Sequence, residues 1–198
     1  MAKILYQGHG SLRLTSDSGM VVYIDPYIGA GYDKPADLIL VTHQHHDHNK
    51  IDLPPHAVDC KIIQNMDALS GNEYRKFTVK DINIEATEAY NEKHPKSECV
   101  GYLVTVDGIS IYFSGDTAQT AQMETLADRK IDYAFLPIDG IYTMNVQEAV
   151  KCAEIIKAKH VIPIHMAPGQ LFDAKIAAGF VTEGAMILEP GDEVELER

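Results

Sequence analysis

The order of apolar and polar positions along the chain predicts β-structure first and helices later. Short apolar or alternating runs at Lys3–Gln7, Ser11–Thr15 and Met20–Ile24 are separated by glycine-containing turns, the pattern of adjacent antiparallel strands. Asp37–Thr42 (DLILVT) is a continuous apolar run of buried-strand length. Cys99–Val106 and Ile109–Phe113 flank Asp107-Gly108, a dipeptide suited to the positive φ angles of a type I′ turn, so they predict a hairpin. Tyr133–Ile138 and His160–Ile164 read as further buried strands, and a last strand is expected around Val194–Leu196. Helices are expected at Thr117–Ala127, Val146–Lys157 and Phe172–Ala178. In the second of these, Asn145 is placed to cap the free amides and Glu148 stands three residues on. Val146, Ala149, Val150, Ala153 and Ile156 make one apolar face.

Strands followed by mixed strand and helix predict an α/β fold in which sheet is covered by helices. No linker, low-complexity tract or repeat divides the 198 residues, so a single domain over residues 1–198 is expected. The net charge is −12 with lysines and arginines scattered, a surface that repels phosphate backbones, so no nucleic-acid partner is expected. No apolar stretch is long enough to span a bilayer, and the opening MAKILYQGHGSLRL lacks the apolar core of a targeting segment. The chain is therefore read as cytoplasmic, without a membrane partner and with no sequence feature that sets an oligomeric state. Cys60, Cys99 and Cys152 are odd in number and widely spaced, which argues against a disulfide framework or a thiolate zinc site.

The segment His43-Gln44-His45-His46-Asp47-His48, directly after DLILVT, changes the picture. Imidazole nitrogens and carboxylates are the donors that zinc, manganese and iron accept. So many ionisable groups beside a buried strand are costly without a partner that neutralises them, and a pair of metal ions is such a partner. Three more candidate ligands follow apolar strands: Asp116 after ISIYFSG, His165 after HVIPI, and His94 a few residues beyond INIEA. Strands that end at one sheet edge deliver such residues to a common cleft.

These motifs resemble the metallo-β-lactamase superfamily, whose pattern is a His-x-His-x-Asp-His loop followed by a distal His, a bridging Asp and a final His. The resemblance covers nearly the whole chain and implies an αββα sandwich of two mixed sheets flanked by helices. Carried over, it makes His43, His45 and His94 ligands of a first metal, and Asp47, His48 and His165 ligands of a second. Asp116, in SGDT, matches the bridging carboxylate. Asn91 competes with His94 for the distal position. Asp25, in IDP, resembles a residue that steadies the ligand loop, an ordinary turn carboxylate being the other reading. His46 is read as a packed or hydrogen-bonded neighbour. GHGSLRL…VVYIDP, AYNEKHPK, IYFSGDT, LPIDGIYTMN and VIPIHM look most like the branch that includes ascorbate-6-phosphate lactonase.

The resemblance implies an intracellular hydrolase with two divalent metal ions, zinc favoured and manganese or iron as alternatives. Water activated between the ions would attack a carbonyl carbon or a phosphorus, with Asp47 and Asp116 as the catalytic carboxylates. No Gly-x-Ser-x-Gly elbow or glycine-rich phosphate loop offers another route. The expected guest is a small molecule, anionic in one variant, with substrate contacts at His9, Lys96, Tyr142 and Thr143. A lactone or ester is the first expectation, a small phosphodiester the second, and metal binding without catalysis the third.

Overall fold

The computed structural model describes residues 1–198. The chain first builds a sheet of β1 (Lys3–Gly8), β2 (Ser11–Thr15), β3 (Val21–Ile24), β4 (Ala36–Val41) and β5 (His56–Gln64), neighbours in sequence order. One turn of helix, α1 (Asn65–Ala68), and a small hairpin, β6 (Leu69–Ser70) with β7 (Glu73–Tyr74), lead to the second sheet. That sheet holds β8 (Lys76–Val79), β9 (Ile82–Glu88), β10 (Val100–Val106), β11 (Ile109–Phe113), β12 (Tyr133–Pro137) and β13 (His160–Ile164), again in sequence order. Helix α2 (Met123–Leu126) lies between β11 and β12, α3 (Val146–Ile156) between β12 and β13, and α4 (Ala174–Ala177) after β13. The last strand, β14 (Glu193–Glu195), returns to pair with β1.

The two sheets bury their facing sides against each other. Ile4, Tyr6, Leu12, Leu14, Leu38 and Leu40 from the first meet Ile84, Tyr102, Val104, Phe113, Phe135 and Ile162 from the second. The outer face of the second sheet is as apolar: Tyr112, Ala134, Leu136 and Val161 pack on Met123 and Leu126 of α2 and on Ala149, Cys152, Ala153 and Ile156 of α3. Strands apolar on both faces read as continuous runs, which is why YAFLPI and HVIPI lack alternation. Over the first sheet, Tyr23, Ile39 and Val41 are covered by Tyr32 and Ile51, so the helical layer is complete on one side only.

Each sheet contains three antiparallel and then two parallel pairings, and the parallel strands position the site. β3, β4 and β5 run parallel, as do β11, β12 and β13. At their carboxyl ends stand Asp25 after β3, Thr42 and the histidine cluster after β4, Asp116 after β11, Asp139 after β12 and His165 after β13. The carboxyl ends of parallel strands are where open α/β sheets place their ligands.

The expected hairpin is present, with Asp107 and Gly108 at φ 50° and 75° between β10 and β11. Two expected helices are shorter than their patterns. The Thr117–Ala127 segment is helical only from Met123, because Thr117 and Ala118 bond to the backbone of Tyr90 instead of continuing a helix. Phe172–Ala178 reduces to Ala174–Ala177 because Asp173 caps it, accepting from the amides of Lys175 and Ile176. Strand β5 was not expected. It is an edge strand, mostly half-buried or exposed, so its sequence lacks a buried face. A helix that agrees with its sequence is α3, where Asn145 accepts from the Glu148 amide and Glu148 accepts from the Asn145 amide. Asn145→Ala is expected to lower unfolding free energy by about 1 kcal/mol without changing the denaturant slope, a result that urea titration checks.

Candidate metal centre

Four imidazoles converge on one carboxylate oxygen. Asp116 Oδ2 lies 3.2 Å from His165 Nε2, 3.3 Å from His94 Nε2, 3.5 Å from His48 Nε2 and 3.9 Å from His43 Nε2. All five residues are buried. The four Nε2 atoms have no hydrogen-bonding partner in the protein.

The opposite ring nitrogens explain why. Nδ1 of His48 donates to Asp25 at 2.8 Å, Nδ1 of His94 to Asn91 Oδ1 at 3.0 Å, and Nδ1 of His43 to Thr42 Oγ1 at 3.0 Å. The Thr42 hydroxyl in turn donates to Asp25 at 2.6 Å. His165 Nδ1 lies 3.4 Å from Asp139 Oδ2. In the neutral rings of His43, His48 and His94 a proton held on Nδ1 leaves the lone pair on Nε2, directed at a carboxylate that is itself an acceptor. A cation resolves that arrangement, and nitrogen and carboxylate donors suit zinc, manganese or iron. The residues therefore fit a metal centre.

Besides the set of Asp25, His43 and His48, the donor atoms form two groups, each mutually within 4.8 Å: His43, His45 and His94 in one, and His9, Asp47, His48 and His165 in the other. Asp116 stands between them. The first group is the set that the resemblance implies for one metal, and the second contains the set implied for the other together with His9. A cleft of about 270 Å³ opens onto the two groups, lined by His45, Asp47, His94, Asp116 and His165 with Tyr27, His46, Tyr142, Pro168 and Gly169.

Electrostatics follow from burial and this geometry. Burial alone disfavours the charged His165 ring, but the Asp116 carboxylate outweighs it and carries the pKa up to about 9. His48 is raised well above its usual range in the same way, by Asp116 and Asp25 against burial. His43, with less help from Asp116 and with His48 nearby, is pushed by burial down to about 2. Burial raises Asp47, yet its bond from His9 and the charge of His48 hold it well below the ordinary carboxylate range.

Several expected residues sit elsewhere than their proposed roles require. Asn91 does not face the site; its oxygen holds His94, and it is His94 Nε2 that points to Asp116. His9 is fully buried and bonded to Asp47, so it offers no open contact to a substrate. Lys96 does not line the cleft: its ammonium pairs with Glu88 and lies over the Tyr90 ring. Thr143 bonds Asp139 through its hydroxyl and lines an adjacent hollow, leaving Tyr142 as the one of the four at the cleft itself. His46, expected as a packed or hydrogen-bonded neighbour, is instead 79% exposed and lines the cleft, with its Nδ1 3.7 Å from Asp47 Oδ1. Asp25 is buried and holds His48 and Thr42, more than an ordinary turn carboxylate does. Sequence reasoning missed Asp139. Its signal was its position directly after the buried run YAFLPI, the same relation that marked Asp116.

Comparison with known proteins agrees with this geometry. The family description "Beta-lactamase superfamily domain" matches residues 3–165. The chain belongs to the metallo-β-lactamase superfamily. A UPF0173 metal-dependent hydrolase of Pyrococcus furiosus is 32% identical, with 99% of this chain and 100% of the relative covered. The crystal structure of a candidate metal-dependent hydrolase from Parabacteroides distasonis superposes with a TM-score of 0.77 at 31% identity, covering 93% of this chain and 91% of that one. The metallo-β-lactamase fold protein YhfI of Bacillus subtilis shares the fold at a TM-score of 0.72 and 14% identity, with 98% of each chain covered. None of these three names specifies a lactonase.

The raised His165 fixes a pH dependence for this superfamily member. In the metal-free folded protein His165 keeps its proton until about pH 9, whereas the unfolded chain releases it near 6.5. Its stabilising contribution is complete below pH 6.5 and is lost as pH rises through about 9. An incoming divalent ion must displace that proton, so apparent metal affinity is expected to rise between pH 6.5 and 9 with proton release. Calorimetric titration of zinc in buffers of different ionisation enthalpy measures this; affinity independent of pH would contradict it.

Proposed function

We propose that this chain is a metal-dependent hydrolase that holds two divalent ions, zinc favoured, and acts on a small neutral ester or lactone. The observation that carries the reading is the set of four partnerless Nε2 atoms around Asp116, beside a cleft that Asp116, His94 and His165 line. His43, His45 and His94 would hold one ion, Asp47, His48 and His165 the other, and Asp116 both. Bound ions would supply a more acidic water and a positive partner for the oxyanion that develops on the substrate.

The chain's own residues supply the rest. Asp116 spaces the two groups of ligands. Asp47, whose carboxylate lines the cleft with one oxygen bonded to His9, holds the attacking water in line and steers the proton it releases to the leaving oxygen. Tyr27 and Tyr142 wall the cleft and displace water from around the reacting bond. The cleft lining contains no lysine or arginine. An anionic substrate would therefore find no cationic side chain beside the ions, which favours a neutral acyl substrate over a phosphodiester. The open mouth supports catalysis over purely structural metal binding, in which protein ligands close the coordination shell.

Two measurements test the reading. With metal fixed, kcat/KM for a lactone and ester series is expected to exceed that for bis(p-nitrophenyl) phosphate; a phosphodiester preference, or no turnover of either by fully metallated protein, would overturn it. Asp116→Ala is expected to lose both ions and hydrolysis together, whereas His165→Ala loses chiefly one ion. Full metal content in Asp116→Ala would remove the bridging role.

A further inference from the structure

We infer that His9 is a positioning residue for the second group of ligands alone, joining Asp47 and His165 so that their ion is held, without itself binding the ion. The inference rests on the two-ion reading above.

His9 stands at the turn between β1 and β2, with φ 54°, and its ring lies inside the protein. Two of its groups reach two different ligands. Its Nε2 is 3.2 Å from Asp47 Oδ2; the carboxylate has no proton to give, so the imidazole N–H donates. Its carbonyl oxygen accepts the amide of His165 at 2.8 Å, and the Tyr6 hydroxyl donates to the same oxygen at 2.9 Å. The ring also packs against that of His165, tilted by 42° with a centroid separation of 3.9 Å. Asp47 comes from the loop after β4 in the first sheet and His165 from the end of β13 in the second, so His9 ties one ligand from each sheet.

The turn has little room to do otherwise. A Cβ on Gly10 would meet the His48 ring at 3.1 Å and His165 at 3.8 Å, and a Cβ on Gly8 would meet Leu171 at 2.8 Å. The backbone on either side of His9 is thus pressed against the ligands and the segment that covers them. Nothing comparable links His9 to His43, His45 or His94.

His9 could instead be a ligand, since its nitrogen falls within 4.8 Å of the donor atoms of Asp47, His48 and His165. The hydrogen bonds decide against it. The Nε2 atoms of His43, His48, His94 and His165 are left without partners, whereas Nε2 of His9 carries the ring's proton to Asp47 and so has no lone pair free for an ion. A group that fixes a ligating carboxylate by a hydrogen bond is worth about 10- to 100-fold in metal affinity.

Titration of the metal-free protein with Co²⁺, followed by its d–d absorption, reads the stoichiometry and affinity of each ion in wild type, His9→Phe and His9→Gln. Phenylalanine keeps a flat ring but removes the donor; glutamine returns an N–H at similar reach. His9→Phe is expected to bind one ion as wild type does and the other about 10- to 100-fold more weakly, with an altered spectrum for that ion. His9→Gln is expected to recover most of both. Equal affinities for both ions in His9→Phe and wild type would overturn the inference, as would equal weakening of both. Failure of His9→Gln to recover would point to His9 as a ligand and overturn it too. Wild-type protein that takes up a single ion would instead contradict the two-ion reading, and the inference with it.

Discussion

One buried carboxylate facing four buried imidazoles is the constraint around which the molecule is arranged. The Nε2 atoms of His43, His48, His94 and His165 lie 3.2 to 3.9 Å from Asp116 Oδ2. Unpaired polar atoms at that depth each cost on the order of 1–3 kcal/mol, and more when charged. The protein does not avoid the cost by turning the rings; it fixes them in place. Asp25, Thr42, Asn91 and Asp139 hold or flank the far nitrogens, so the free lone pairs are kept directed inward. In the metal-free state, protons on His48 and His165 are the substitute for a cation.

The sheets make this arrangement possible. Facing sides of two sheets form the main core, and the parallel strands of both sheets end at the same place. Local strain collects there. Asp25, His165 and His9 all have left-handed backbones, at φ 47°, 50° and 54°, though none is glycine. Such positions cost roughly 1–3 kcal/mol each and persist where surrounding structure over-determines them. Here each strained residue holds a ligand or is a candidate ligand, so stability is spent at the point of function. The apolar layers between and outside the sheets supply the excess.

The histidine cluster and the strand that precedes it were legible because a dense local pattern carries its own physical reason. His94, Asp116 and His165 were legible as residues following apolar runs, and the structure brings their Nε2 and Oδ2 atoms together. What lay hidden depended on contacts distant in sequence. His9 reads as a substrate contact until Asp47 and His165, 38 and 156 positions later, are seen to meet it. Asp139 matters because of His165, and Lys96 is removed from the cleft by Glu88 and Tyr90. The same limit explains the helices. Thr117–Ala127 has a helical pattern, but Tyr90 claims its first residues through hydrogen bonds that no local rule contains. Edge strand β5 failed for the opposite reason: with little burial on either face, its sequence is free of the alternation that marks a strand.

The central claim is that Asp116 joins two cation sites built from ligands on both sheets. An anomalous difference map from crystals grown with zinc, collected on both sides of the zinc absorption edge, tests it most directly. The account predicts two peaks per chain about 3.5–4 Å apart. Both should contact Asp116, one with His43, His45 and His94 and the other with Asp47, His48 and His165. A single peak, or two peaks of which one lies away from Asp116, would contradict it.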